Sequence, residues 1–146
     1  MLMLTGQETD RKSTTGFVIE LFGNPIYWKS KKQNCVTKSS AFAEYIALSE
    51  AVTELNFIRN VVNDVFVETI PPIKIFEDNS GALAIAKYGN FTKNSKHIEV
   101  QYHYVHENVR NKIIEIVKID SDIDSDFTKS LGKVKFTKFR EMLKLM

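Results

Sequence analysis

The sequence has few of the residues that form covalent cross-links or force sharp turns. Its 146 residues include one cysteine, three prolines and six glycines. The single cysteine, Cys35, excludes an internal disulfide and a cysteine-based zinc site. No apolar run approaches the roughly 20 residues that cross a bilayer, and the N-terminal stretch lacks the basic segment and apolar core of a secretory signal. We therefore expect an intracellular protein, cytoplasmic or nuclear, that is neither secreted nor membrane-bound.

A strong excess of one charge is also absent. The formal net charge is +2, from 20 basic and 18 acidic residues. Because strongly basic domains are the clearer signature of nucleic-acid binding, composition alone does not indicate it. The lysines are nevertheless clustered, as Lys29, Lys31 and Lys32 in one segment and Lys93 and Lys96 in another. These clusters are either solvated surface or contacts to phosphate groups.

What the sequence does contain is the pattern of one α/β domain spanning residues 1–146. Hydrophobic residues make up 43% of the chain, enough for a buried core. The patterns predict strands at 15–21, 25–29, 73–78 and 113–119, and helices at 40–65, 80–87, 98–110 and near the C-terminus. The order β-β-α-β-α-α-β-α is typical of a single domain with a mixed sheet.

Glu44 is the first candidate functional residue. On the long predicted helix it lies about 40° from the apolar residue Leu48, at the edge of the stripe that faces the core. An acid there either binds a cation or hydrogen-bond donors, or is a boundary residue whose carboxylate reaches water. Glu50 and Glu54 fall on the opposite face and are expected to be solvated.

Asp78 is the second candidate. It stands where a predicted strand ends and a helix begins, which is the usual ligand position in open α/β sheets. Aspartate at such a point also serves as a helix N-cap, which is the alternative interpretation.

The three histidines do not complete a zinc pattern. His103 and His106 share a helix face, but no cysteine or acid joins them at a recognisable spacing. We expect His97 and His103 to be structural and His106 to lie at the surface.

Four strings occur in a fixed order along the chain. They are DRKSTTGF, AEYIALSEA, EDNSGALAIA and KHIEVQYH, beginning at Asp10, Ala43, Glu77 and Lys96. Together they resemble the ribonuclease H domain of the Pol polyprotein of copia-type LTR retrotransposons. The resemblance implies an RNase H-like α/β fold, with a mixed central sheet and helices on both faces. It also implies magnesium-dependent cleavage of the RNA strand of RNA/DNA hybrids, and an ancestral fusion to reverse transcriptase and integrase domains.

The resemblance further implies that Glu44 and Asp78 are two of four carboxylates that hold two Mg²⁺ ions, which Mn²⁺ can replace. Two such ions clamp the scissile phosphate and stabilise the attacking and leaving oxygens. The lysines Lys29, Lys31, Lys32, Lys93 and Lys96 would contact an RNA/DNA hybrid or RNA.

The other two carboxylates are not found at the matching positions. Met1 and Met3 stand where the family has the D-x-D pair at the end of its first strand, and Ser125 stands at the fourth acid. Asp124 and Asp126 flank Ser125 and are the candidate substitutes. We therefore expect an N-terminally truncated domain whose first central strand is largely missing, with weakly bound metal and little turnover. The alternatives are a catalytically inactive nucleic-acid-binding remnant and a non-functional gene fragment.

Overall fold

In a computed structural model, the residues that the structure describes form a five-stranded sheet and three helices. The described residues are 2–9, 12–34, 39–66, 70–88, 96–119, 137 and 141, and for 2–9, 12 and 96–98 the description covers the backbone alone. The strands are β1 (Leu2–Thr9), β2 (Lys12–Leu21), β3 (Asn24–Lys32), β4 (Ile73–Glu77) and β5 (Ile114–Lys118). The helices are α1 (Ser40–Val65), α2 (Ser80–Tyr88) and α3 (Lys96–Arg110).

The sheet is mixed, as predicted, and its strand order is β3-β2-β1-β4-β5. β2 is antiparallel to both β1 and β3, whereas β1 and β5 are parallel to β4. It follows that β1, β3, β4 and β5 all run in one direction and that β2 alone runs against them.

The expectation that the first central strand is largely missing is wrong. Residues 2–9 form β1, which lies at the centre of the sheet. Residues 2–4 pair in register with residues 75–77 of β4, and the whole strand pairs with residues 12–19 of β2. The strand forms because β2 and β4 each have an edge whose N–H and C=O groups need partners. The comparison with the family's motifs assigned these residues to the end of a lost strand and to the loop after it. In the structure they supply those hydrogen-bond partners.

The β2–β3 hairpin is present and longer than predicted. Its turn is at Phe22 and Gly23, and both residues have positive φ, at 52° and 74°. A two-residue loop with this backbone matches the right-handed twist of the flanking strands. The hairpin therefore continues to Lys32 and brings the end of β3 to the start of α1.

The core lies between one face of the sheet and the three helices. Phe17, Tyr45, Leu48, Ile75 and Ile114 are almost completely buried and belong to one cluster with residues of all three helices. The described helices therefore lie on the same face of the sheet. Of the predicted C-terminal helix, residues 137 and 141 alone are described, and both have helical backbone. None of the helices in the described ranges has both the length and the apolar character needed to cross a bilayer.

Candidate functional site

Two helices begin at the same edge of the sheet. Because β3 and β4 run in the same direction, their carboxyl ends meet at one edge, here called the carboxyl edge. α1 follows β3 and α2 follows β4 along the chain, so both helix starts lie at this edge. In open α/β sheets this is where ligands usually bind.

The β1–β2 hairpin extends beyond the end of β4. β4 ends at Glu77, which is level with Leu4, whereas β1 continues to Thr9. Glu8 is the one acid in β1, and it pairs with Ser13 near the tip of the hairpin. No acid of β1 is therefore level with the end of β4.

Asp78 is not the cap of α2. The Asn79 side-chain Oδ1 accepts hydrogen bonds from the backbone N–H groups of Gly81, at 2.8 Å, and Ala82, at 3.1 Å. Asn79 therefore satisfies the free N–H groups of the first turn. Asp78 is half-buried, and its carboxylate makes no hydrogen bond or ion pair within the described residues. The capping interpretation of Asp78 is wrong, and its carboxylate is available for another role.

Glu77 is a buried acid that the sequence reasoning missed. Its side chain is 0% exposed, and its Oε1 accepts a hydrogen bond from the backbone N–H of Asn79 at 3.0 Å. The signal was strand alternation, since Ile73, Ile75 and Glu77 share one face of β4. Ile75 is buried in the core, so Glu77 follows it into the interior.

Glu44 is also buried, with an exposed fraction of 6%. The interpretation as a boundary glutamate whose carboxylate reaches water is therefore wrong. Gln33, the first residue after β3, donates a hydrogen bond from Nε2 to the carbonyl oxygen of Ala43 at 2.8 Å. This bond joins the end of β3 to the residue immediately before Glu44.

The starts of α1 and α2 are in close contact. A Cβ atom added at Gly81 would lie 2.7 Å from the Ala41 Cβ, a distance that real side chains do not tolerate. Ala41 and Glu44 are three residues apart on α1 and therefore share a side of that helix. The structure thus brings the Glu44 segment to the start of α2, which directly follows Asp78.

The described residues do not fit a two-ion metal centre. They contain no group of three or more His, Cys, Asp or Glu side chains placed to hold a metal ion. Two ions require carboxylates from several segments. Asp124, Ser125 and Asp126 lie outside the described residues. The donor set of Glu44 and Asp78 has the chemistry for one hydrated ion, because Mg²⁺ is often held by one or two carboxylates and several waters.

Lys29 is one of the lysines predicted to contact phosphate, but its side chain is paired with two acids of α1. Its Nζ lies 3.1 Å from Glu50 Oε2 and 3.7 Å from Glu54 Oε1. The Tyr27 hydroxyl donates to the same Glu54 oxygen at 3.2 Å. The two glutamates are partly solvated, as expected, but each is also paired with side chains of β3.

The environment of Lys29 favours its charged form. Burial lowers the pKa of Lys29, but the hydrogen bond and charge of Glu50, together with the charges of Tyr27 and Glu54, outweigh it, and the net pKa is raised. Burial, together with the charge of Glu54, raises the pKa of Tyr27. Lys29 therefore carries a charge that two carboxylates already neutralise in part.

The remaining lysines differ in position. Lys31 and Lys32 are exposed at the end of β3, beside Gln33 and hence at the carboxyl edge. Lys96 is the first residue of α3, with its backbone alone described, and Lys93 lies outside the described residues.

The histidines do not behave as expected. His103 is exposed, whereas His106 is half-buried and stacks on Tyr102 with ring centroids 5.4 Å apart. The His106 Nδ1 lies 3.4 Å from the carbonyl oxygen of Ala86, which joins α3 to α2. The predicted roles of His103 and His106 are thus reversed, and the side chain of His97 lies outside the described residues.

The fold matches that of solved ribonucleases H. LC11-RNase H1 in complex with an RNA/DNA hybrid aligns with a TM-score of 0.59 and 12% sequence identity, over 86% of this chain and 88% of that chain. RNase H1 from the halophilic archaeon Halobacterium salinarum NRC-1 aligns with a TM-score of 0.57 and 14% identity, over 86% of this chain and 89% of that chain. Identities this low establish the fold alone.

Sequence relatives come from a different group of proteins. The retrovirus-related Pol polyprotein from transposon RE2 of Arabidopsis thaliana is 31% identical over 136 residues, which is 92% of this chain and 9% of that protein. The corresponding polyprotein from transposon TNT 1-94 of Nicotiana tabacum is 28% identical over 142 residues, which is 96% of this chain and 11% of that protein. The chain therefore spans about a tenth of the length of these relatives. No protein-family model matches the chain.

The sheet order and the structural neighbours define an RNase H-like domain. Its homologues are Pol polyproteins, which confirms the resemblance carried by the four motifs. The chain is therefore similar to the part of these copia-type retrotransposon Pol polyproteins over which it aligns, and it has the fold of the ribonucleases H.

Proposed function

We propose that this chain is a degenerate RNase H-like domain that binds RNA/DNA hybrids at the carboxyl edge and cleaves them too slowly to be resolved from a variant without Glu44 and Asp78. The observation that carries this proposal is the cap of α2. Because Asn79 caps the helix, Asp78 is left without a structural role at the edge where the helix of Glu44 begins.

The metal component of the proposal is one weakly held divalent cation, Mg²⁺ or Mn²⁺, with Glu44 and Asp78 as its protein ligands. When bound, the ion would offset the negative charge of the scissile phosphate. The two carboxylates would orient it, and the burial of Glu44 would keep that carboxylate in one position. Water and the substrate phosphate would complete the octahedral shell that Mg²⁺ prefers.

The expected loss of rate follows from the missing carboxylates. The end of β4 has Leu4 as its neighbour in β1, and the family's fourth acid is replaced by Ser125. Asp124 and Asp126 remain our candidates for metal contacts from that segment. Ile119, the last described residue before that segment, donates its N–H to the carbonyl oxygen of Glu77 at 3.1 Å, so Ile119 lies next to the residue that precedes Asp78.

The hybrid-binding surface in this proposal is formed by Lys31 and Lys32, with Lys93 and Lys96 as further predicted contacts to phosphate. Lys31 and Lys32 are exposed and lie at the same edge as Glu44. Lys29 is left out of the surface because its charge is already paired with Glu50.

The polyprotein relatives suggest the origin of the domain. We propose that it descends from a Pol polyprotein in which it was fused to reverse transcriptase and integrase domains. The alternative function, a nucleic-acid-binding module without catalysis, is supported by the same lysines together with the incomplete set of acids.

The test measures cleavage and binding of a labelled RNA/DNA hybrid in Mg²⁺ and in Mn²⁺. We expect binding, and cleavage that is not resolved above a Glu44→Ala/Asp78→Ala control. Cleavage well above this control would contradict the degenerate state, and absence of hybrid binding would contradict the proposal as a whole.

The salt dependence of binding identifies the phosphate contacts. Each phosphate contact that is lost reduces the slope of log affinity against log salt by about 1. We expect Lys31→Ala/Lys32→Ala to reduce it by about 2. Lys29→Ala is the matched control and should leave the slope unchanged, because its partners are Glu50 and Glu54.

A further inference from the structure

Gln33 connects three elements of the fold at the carboxyl edge. Its backbone N–H donates to the carbonyl oxygen of Ser13 at 2.7 Å, which closes the end of the β2–β3 pairing. Its side-chain Nε2 donates to Thr15 Oγ1 at 3.1 Å and to the carbonyl oxygen of Ala43 at 2.8 Å. The residue is 4% exposed, so these bonds are shielded from water.

The orientation of the Gln33 amide is determined by its partners. The Ala43 carbonyl can only accept, so the nitrogen of the amide must face it. Its two protons then go to Ala43 and to Thr15. A carboxylate or an apolar side chain at position 33 cannot reproduce this pair of donations.

The bond to Ala43 acts directly on the residue that follows. The carbonyl of Ala43 and the N–H of Glu44 belong to one planar peptide unit. Holding that carbonyl oxygen therefore fixes the plane from which the Glu44 Cα and side chain extend. Glu44 is 6% exposed, so its carboxylate has little room to compensate for a rotated backbone.

Few side-chain hydrogen bonds hold the start of α1 within the described residues. Ser39 occupies the N-cap position, but its side chain makes no capping hydrogen bond. The Gln33 side chain supplies the one side-chain hydrogen bond made to the first turn of α1 within the described residues. We propose that Gln33 is a positioning residue that holds Glu44 in its metal-binding orientation by fixing the Ala43–Glu44 peptide. This inference rests on the proposed function, since it concerns the metal ligand assigned there.

The test follows Mn²⁺ binding by the paramagnetic broadening of backbone amide NMR signals in the full chain. Two groups of amides report on the two ligands: residues 43–45 for Glu44 and residues 79–82 for Asp78. The variant is Gln33→Met, which keeps the approximate length of the side chain and removes both donors. The matched control is Thr15→Val, which removes one partner of Gln33 but keeps its bond to Ala43.

A positioning role predicts weaker binding of the single ion. In Gln33→Met the Mn²⁺ concentration that broadens both groups of signals should rise about 10- to 100-fold, the usual effect of losing an outer-shell partner of a ligand, because one ion is held by both carboxylates. Thr15→Val should respond as the wild type in both groups. A purely structural role would leave the Mn²⁺ response of folded Gln33→Met unchanged, or would shift it equally in Thr15→Val.

Two results would overturn the inference, and they are distinguishable. If the wild type is broadened in both groups and Gln33→Met behaves identically, Gln33 does not position Glu44, while the proposed metal ligands stand. If Mn²⁺ broadens neither group in the wild type, the metal part of the proposed function fails, and the positioning role fails with it. Should Gln33→Met not fold, Gln33→Asn serves instead, because its shorter amide cannot reach both acceptors.

Discussion

Two strand-to-helix junctions meet at the carboxyl edge, and they hold their acids in different ways. At the β4–α2 junction two residues suffice: Asp78 follows the last residue of β4, and Asn79 caps the helix. At the β3–α1 junction the connection is longer and Ser39 makes no side-chain cap. There the start of the helix is held by Gln33, across from the end of β3.

The two candidate ligands are positioned by contacts of different sequence separation. Asp78 is placed by its immediate sequence neighbours, so its position is encoded within a few residues. Glu44 is placed by a residue eleven positions earlier and by the packing of two helices, so its position depends on the tertiary fold. Damage to the fold should therefore affect the Glu44 side before the Asp78 side.

The largest effect is expected from Gly81→Ala, which breaks the contact between the two junctions. The new Cβ would lie 2.7 Å from the Ala41 Cβ and 3.0 Å from Asn79 Oδ1. Such overpacking commonly costs about 1–3 kcal/mol, and we expect a fall of this size in the free energy of unfolding measured with urea. The double variant Ala41→Gly/Gly81→Ala should be more stable than the sum of the single effects predicts. Strict additivity would contradict the close approach of the helices.

A smaller change in stability is expected at the β4–α2 junction, and it should differ between the two residues there. Asn79→Ala removes the cap of α2 and should destabilise the protein by about 1 kcal/mol. Asp78→Ala removes a carboxylate with no partner among the described residues and should cost less than about 0.5 kcal/mol. Thermal unfolding of both variants measures the difference. The reverse order would mean that Asp78, rather than Asn79, supports the helix.

The smallest effect is expected at Lys29, which ties the other side of α1 to β3. Lys29→Met should lower the free energy of unfolding at neutral pH by less than about 1 kcal/mol, since partly exposed ion pairs contribute little. The pKa of Lys29 is raised in the folded state, so the stabilisation is complete below its ordinary pKa and is lost as the pH rises through the folded value. The difference between wild type and variant should therefore shrink only at strongly alkaline pH. A difference that grows with alkaline pH would contradict the pairing with Glu50.

Much of the fold was predictable because its signals are local. Helical spacing located α1 from Ser40 to Val65 correctly, and β-branched runs located β4 and β5 to within a residue or two. β1 was not predictable in this way. Its residues have no strong strand pattern, and the strand exists because β2 and β4 need a partner between them.

The candidate site was predictable in its residue types but not in its contacts. Glu44 and Asp78 were identified from motifs, but the cap that frees Asp78 belongs to the next residue, and side-chain geometry decides between the two. The pairing of Lys29 with Glu50 joins two segments that lie far apart in the chain. No periodicity in either segment contains that information.

The position of β1 also has a consequence for how the chain folds. β1, β2 and β3 are consecutive antiparallel strands, so their pairing closes only short loops. The parallel strands β4 and β5 join them through residues 2–4 alone, which must find partners about seventy residues later in the chain. Long-range pairing of this kind forms slowly. We therefore expect the pairing of β1 with β4 to be the last part of the sheet to form and the first to exchange its amide hydrogens. The strands β1–β3 and the strands β4–β5 should then behave as two separate cooperative units.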